Sequence, residues 1–326
     1  MSKPHRSISI CLPTCDRPDL LQEAIASCTS QTEPPDEIVI GDDSKADDTQ
    51  KLITRLQPVT RIPLNYQRNW PRRGQSANIN SVYQRATSSH LILLHDDDLL
   101  MPNAVQDLLS CWDQYPDLTA AFGKQYVISH DGHIDLASSE ILNRDYLRTQ
   151  EREGVQPRPW EVGLLRQLPN NGFMVTKEAA CAILWRPAEE VGYGGEFDFG
   201  LRLSLAYRKF YFVNRYVSKY RKTLGASISS SNKDDAALQG YRIVKSVKLP
   251  AEAVHLAPEV LARLAPLAMM QAIRHGHHRE AWGIYLSSNH SWRKRLSAGG
   301  LRRLLLLLLS QARVVESWCL GRIALT

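Results

Sequence analysis

The sequence predicts an α/β fold: a mostly parallel central sheet flanked by helices, followed by a helical C-terminal extension. Three observations carry this. Short apolar runs alternate with amphipathic stretches at about 25–30 residues per pair, the rhythm of βαβ construction. Two of the runs end in clustered carboxylates, Asp42-Asp43 and Asp96-Asp97-Asp98, which puts charge at the strand ends where open α/β sheets hold ligands. From Asp234 onward the whole chain reads as helix.

Ser7 to Thr14 reads as a first buried strand, and Leu20, Leu21, Ala24, Ile25 and Cys28 then fall at helical spacing. Asp36 to Ile40 gives a second strand, followed by a helix with Leu52, Ile53 and Leu56 on one face. Ile62 to Tyr66 is a weaker third strand, Arg72 to Ser76 a loop, and Ala77 to Ala86 a helix. Leu91 to Leu94 is a fourth strand that runs into His95 and the acidic triplet. A helix from Ala104 to Tyr115 and a strand from Thr119 to Ile128 come next. Ser129 to Pro159 is polar with few apolar periods and reads as a long binding segment without regular structure. Asn170 to Lys177 reads as strand, with a helix to Trp185. Gly192 to Asp198 is a loop opening a helix, and Phe210 to Val213 and Tyr216 to Tyr220 are two short strands. The predicted domains are 1–230, in two halves divided near residue 102, and a helical region 231–326.

A chain of 326 residues with 43% hydrophobic and 23% charged side chains is not a disordered polymer. Met1 to Arg6 is polar and lacks the apolar core of a signal peptide, so the mature chain is expected to begin here. Six cysteines have no paired spacing, which predicts reduced thiols in a cytoplasmic protein rather than a disulfide framework or zinc site. From Pro250 to the end there are ten Lys/Arg against four Asp/Glu, which accounts for the whole net charge of +6. Arg clusters there alternate with apolar runs, which fits an anionic membrane surface better than nucleic acid.

Three adjacent carboxylates repel one another unless a cation or several donors sit among them. Oxygen ligands at this density suit Mg²⁺ or Mn²⁺, ions that usually arrive with a phosphate. The alternative is a solvated acidic turn before the helix that starts near Pro102. Asp42 and Asp43 could likewise form an Asx-turn. On parallel strands, however, both clusters gather on one rim, where one pair can hold a nucleotide and the other a metal-bound diphosphate.

Residues 7 to 230 resemble the inverting nucleotide-sugar glycosyltransferases of family 2, which have the GT-A fold. Leu12-Pro13-Thr14-Cys15-Asp16-Arg17 is similar to the family's opening loop, and Ile38 to Thr49 to the stretch that meets base and ribose. Gly74 to Asn80 matches a small-residue helix start, and His95 to Pro102 the Asp-x-Asp block. Gly195 to Leu203 is similar to the later acidic block that supplies the catalytic base, and Tyr220-Arg221 with Ser227 and Ser229 to a loop that closes over the diphosphate. The resemblance implies that Pro13, Thr14, Asp16, Arg17, Asp42, Asp43, Gly74, Asn80, Asp96 and Arg221 hold the nucleotide-sugar. It implies that Asp97, with Asp96 and Asp98, holds Mn²⁺ or Mg²⁺. Glu196 falls where the base belongs, with Asp198 the second candidate.

The chain departs from the family in three places. His95 stands at the usual first Asp of the metal block, which passes ligand duty to Asp97, leaves Asp96 near the ribose, and lets Asp98 orient the loop or bind acceptor. Asp198 and Arg202 are four apart in a helix and could be a plain ion pair. Thr223 replaces the His that often follows the closing-loop Arg, leaving Arg221 and Lys222 as phosphate partners. His95, His130 and His133 are not spaced as a metal site and read as turn or surface residues, while Trp70, Trp160 and Trp185 could stack on sugars or fill the core.

The expected activity is metal-dependent inverting transfer of a hexosyl or deoxyhexosyl group from a UDP-, dTDP- or GDP-sugar. The acceptor is the hydroxyl of an oligosaccharide or polyprenyl-linked saccharide, in cell-surface polysaccharide or O-antigen assembly. A sugar nucleotidyltransferase is a rival, but it needs a glycine-rich phosphate loop and Leu12 to Asp19 has no glycine. A non-catalytic nucleotide-sugar-binding scaffold is the other, kept open by His95, Glu196 and Thr223. Leu304 to Leu309 spans about 9 Å as helix, far short of the roughly 30 Å of a bilayer core. The tail is therefore expected to lie on the inner membrane surface, or else to pack on the catalytic domain or a homodimer partner.

Overall fold

The computed structural model describes residues 6–222 and 234–323, with side chains as far as residue 310. These residues form two compact units. One runs to Glu190 and resumes from Gly195 to residue 222; the other joins Val191–Gly194 to residues 234–323. The expected boundary at 230, with Thr223, Ser227 and Ser229, lies outside the described residues.

In the first unit the elements are β1 (Ile8–Thr14), α1 (Pro18–Thr29), β2 (Glu37–Asp42), α2 (Asp48–Leu56), β3 (Leu64–Arg68), α3 (Gln75–Arg85) and β4 (His90–Leu93). There follow β5 (Leu99–Leu100), α4 (Ala104–Gln114), β6 (Ala120–Ile128), β7 (Ile134–Asp135), α5 (Leu136–Asp145), β8 (Gly154–Val155) and α6 (Pro159–Leu164). The unit continues with β9 (Met174–Thr176), α7 (Lys177–Ile183), α8 (Ala188–Val191, whose last residue belongs to the second unit), α9 (Gly195–Ala206) and β10 (Phe210–Arg221).

The sheet order is β3-β2-β1-β4-β9-β6-β10-β5. β1 is parallel to both β2 and β4, and β2 to β3, as the alternating pattern predicts. β9 is antiparallel to both of its neighbours, while β6 and β10 are parallel. The two short strands expected after residue 210 are one strand, β10, with register shifts on either side of Tyr216.

Both faces of the sheet are covered, so its central strands are apolar on both sides. Ile8, Ile10 and Leu12 pack with Leu21, Ala24 and Ile25 of α1 and with Val105, Leu108 and Trp112 of α4. Cys11, Val39, Leu91 and Leu93 face the other way, toward Ile79, Val82 and Tyr83 of α3 and Phe199 and Leu203 of α9. The polar stretch 129–159, expected to lack structure, holds β7, α5 and β8. The inward side of α5 is polar: Ser139 Oγ accepts from Val127 N–H at 2.8 Å, and the Asn143 amide exchanges hydrogen bonds with the Gln125 backbone at 2.8 and 3.1 Å. A helix that caps a strand edge in this way leaves no apolar period to read.

The second unit is helical: α10 (Ala236–Ser246), α11 (Ala257–Arg274), α12 (His278–Leu286), α13 (Trp292–Leu296) and α14 (Ala298–Ile323). Among the described residues one stretch, Val254–Arg274, is long and apolar enough to cross a membrane, and 44% of it is buried. Its buried residues include Val260, Leu264, Ala268 and Met269, the spacing of a core-facing stripe.

Candidate functional site

The register of the sheet builds the rim. Thr14 pairs with Asp42 across β1 and β2, and Cys11 with Leu93 across β1 and β4. Both acidic clusters therefore leave the sheet on one side. Asp42 is fully buried; Oδ1 accepts from Ser44 N–H and Oδ2 from Tyr66 O–H, both at 2.8 Å. Asp43 accepts from Gly74 N–H at 2.7 Å, Asn69 Nδ2 at 2.8 Å and Arg73 N–H at 3.2 Å. Gly74 is the N-cap of α3 with φ +82°, a backbone state open to glycine, so its conformation turns the helix start toward Asp43. At Gly41 a Cβ would overlap the Asn78 amide, whose Nδ2 donates to Gly41 O at 2.8 Å.

The loop after β1 lies beside these acids, beginning at Pro13, which pairs with Gly41. Asp16 N–H donates to Ser44 Oγ at 2.8 Å, and its carboxylate accepts from Lys45 N–H at 2.7 Å and from Arg72. The Lys45 bond, with the Arg72 guanidinium, holds the Asp16 carboxyl below its usual range. Arg72 also donates to the Asp43 carbonyl.

Asp96 is tied to the same loop: Oδ2 accepts from Thr14 Oγ1 at 2.8 Å and from Cys15 N–H at 3.2 Å. Arg17 bridges Asp96 (3.4 Å) and Asp97 (2.8 Å). Burial pushes the Asp96 carboxyl up, and Arg17 opposes that. Asp98 is buried, 1% exposed, and accepts from Arg221 N–H at 2.7 Å and from the Asn171 amide. Burial and then the charge of Asp97 push Asp98 well above the carboxylate range, with Glu196 and Asp96 adding to the effect.

Ligand atoms of His95, Asp97 and Asp98 lie within 4.8 Å of one another. His95 Nε2 is buried with no hydrogen-bond partner. The metal set expected from sequence is Asp96, Asp97 and Asp98; the ligand atoms that lie together here are those of His95, Asp97 and Asp98, while Asp96 accepts from Thr14 and Cys15. A lone histidine carries no spacing signal, which is why the sequence reads His95 as a turn or surface residue and passes ligand duty to Asp97.

Three further expectations meet a different geometry. Arg221 is 3% exposed, and its guanidinium donates to Asp97 O (2.8 Å), His130 O (2.6 Å) and Glu23 Oε2 (2.6 Å), so it fastens the acidic turn rather than reaching for phosphate. Asn80 exchanges hydrogen bonds with the Trp185 backbone at 2.8 and 2.9 Å; Asn78, two residues earlier, reaches the rim instead. Asp198 is fully buried and accepts from Arg202 Nε at 2.7 Å and Arg186 Nε at 3.0 Å. That leaves it an internal clamp, whereas Glu196 in the first turn of α9 is exposed and within electrostatic reach of Asp98. Trp160 and Trp185 are buried, the latter stacked on Phe199; Trp70 is 79% exposed beside the Asp43 loop.

Comparison with known proteins bears on the family and the fold. The family model described as Glycosyl transferase family 2 matches residues 9–177, just over half of the 326. A GalNAc(5)-diNAcBac-PP-undecaprenol beta-1,3-glucosyltransferase of Campylobacter jejuni is 32% identical over 103 residues, 31% of this chain and 33% of that protein. The abequosyltransferase RfbV of Salmonella typhimurium is 25% identical over 146 residues, 44% of this chain and 42% of that protein. The matched stretch thus spans about a third to two fifths of these relatives. Among solved structures, S. aureus TarS 1–349 in complex with UDP-GlcNAc superposes with TM-score 0.59 at 13% identity, covering 93% of this chain and 81% of that one. The mannosyltransferase PcManGT of Pyrobaculum calidifontis, in complex with GDP-Man and Mn²⁺, gives 0.56 at 14%, covering 94% and 88%. These likenesses establish the fold, which is GT-A.

Proposed function

The chain belongs to glycosyl transferase family 2, and from that premise we propose a metal-dependent, inverting transfer of a sugar from a nucleoside-diphosphate-sugar to a saccharide hydroxyl. The observation that carries it is the convergence of His95, Asp97 and Asp98, beside the Thr14–Asp96–Arg17 network, with Glu196 exposed within reach of Asp98. Asp42, Asp43 and the loop from Pro13 to Arg17 bind the nucleoside, and the start of α3 at Gly74 steadies Asp43.

The donor set fits a divalent cation: two carboxylates and an imidazole nitrogen that has no other partner, a mixture that suits Mn²⁺ better than the all-oxygen preference of Mg²⁺. Such an ion, when bound, supplies Lewis-acid stabilisation of the diphosphate leaving group. Arg17 orients Asp97 and adds positive charge on the same side. Glu196 takes the acceptor hydroxyl proton as that oxygen bonds to the anomeric carbon; the bond to the diphosphate breaks on the opposite face, inverting the centre.

The relatives support a setting in polysaccharide or O-antigen synthesis. The Campylobacter protein's name specifies a PP-undecaprenol-linked substrate, so a polyprenyl-linked acceptor at the cytoplasmic face of the membrane is the reading for this chain. Neighbours with UDP-GlcNAc and GDP-Man support a UDP-, dTDP- or GDP-linked hexosyl or deoxyhexosyl donor. The test is Glu196→Gln: transfer is expected to fall by about 10²–10⁴-fold while Mn²⁺-dependent nucleotide binding by calorimetry persists. Full turnover in that variant removes Glu196 from the chemistry.

A further inference from the structure

Among its described residues, the second unit has an exposed apolar face. In α14, Leu301, Leu305, Leu308 and Leu309 recur at i, i+4, i+7 and i+8, a stripe about 100° wide. All four are about half exposed, whereas Leu307 on the opposite side is fully buried. The helix therefore packs by its other side and offers leucines to solvent. Trp292 and Leu296 of the preceding α13, and Leu286 at the end of α12, are exposed as well. Arg295 fixes α13 there, donating to Leu286 O at 2.9 Å, Ser287 O at 2.8 Å and His290 O at 2.8 Å.

Charge identifies the occupant. Residues 281–315 contain six Lys/Arg and no Asp/Glu. Arg293, Lys294 and Arg302 are exposed, with Arg293 over the Trp292 ring at 5.4 Å. Arg302 follows Leu301 directly and so borders the stripe. A protein partner or second copy would bury this apolar face, but a second copy would also bring together two surfaces of the same positive sign. An aromatic and leucines on one face with cations at the border match a bilayer whose headgroups are anionic.

We propose that α13 and the first three turns of α14 are a peripheral membrane-docking face selective for anionic phospholipid, with Trp292 and the exposed leucines entering the interfacial region. The role is separate from the catalytic reading, because vesicle binding is measured without transfer. Flotation of the full chain with phosphatidylcholine vesicles, with and without about a third phosphatidylglycerol, tests it. Binding is expected only to the anionic vesicles and to be released by high salt. Arg293→Glu with Arg302→Glu is expected to lower it by about tenfold or more, and Leu305→Glu with Leu308→Glu likewise. All four side chains are exposed, so circular dichroism and nucleotide binding should match the unaltered chain. Equal binding to neutral vesicles, no binding at all, or binding that neither variant changes overturns the proposal. So does a dimer that the leucine variant dissociates while vesicle binding stays intact, which would make this face a subunit interface.

Discussion

Glu196 and Asp198 stand two positions apart in α9, yet their surroundings give them opposite duties. Asp198 neutralises Arg202 and Arg186 in a buried cluster, and Arg202 in turn ties down Ile183 O and Leu184 O, both at 2.6 Å. Asp198→Asn leaves two guanidinium groups short of a counter-charge. Arg186 is partly solvated, which softens the loss, so unfolding free energy should fall by about 2–3 kcal/mol in urea titrations. Glu196→Gln should leave the urea midpoint where it was. Sequence alone exposed both carboxylates and the Asp198–Arg202 spacing. It gave no sign of Arg186, which reaches the pair only through the turn between α7 and α9. His95 and Arg221 were opaque for the same reason: a single side chain has no period, and its partners come from distant segments.

At the scale of elements, the start of α3 governs the nucleoside end of the rim. Gly74 sits at φ +82°, ψ 163°, and a Cβ there would touch nothing, so Gly74→Ala isolates the backbone cost of about 1–3 kcal/mol. Relief of that strain would turn the Gly74 N–H away from Asp43, and nucleotide affinity should weaken roughly tenfold by calorimetry. The strand–helix alternation through β4 was legible because β1, β2 and β4 are rich in apolar residues on both faces and each helix carries one apolar stripe. α5 was not legible, since its inward residues are Ser139 and Asn143. β9 was found as a strand, but nothing local told that it runs antiparallel to β4 and β6.

Across the whole α/β unit, one buried histidine sets an acid limit. His90 opens β4 and packs edge-on against Trp112 with ring centroids 4.8 Å apart. Burial, with Arg6 nearby, lowers its pKa from 6.5 to about 4. The unfolded chain therefore takes up this proton first as pH falls. The contribution is complete above about pH 6.5 and is lost as pH drops toward 4, about 3 kcal/mol in all. Denaturant midpoints measured across that window should slope downward for the unaltered protein and flatten for His90→Gln.

Among the described residues, the strand that joins the half-sheet of β3-β2-β1-β4 to that of β6-β10-β5 is β9, three residues long. Asp96 is fastened to the first half through Thr14 and Cys15, and Asp98 to the second through Arg221 N–H, with Asn171 just ahead of β9. The acidic turn thus works as a rivet across a suture. Slippage along β9 would pull the carboxylates of Asp96 and Asp98 in opposite directions, so mechanical cohesion of the sheet and grip on a charged ligand rise and fall together.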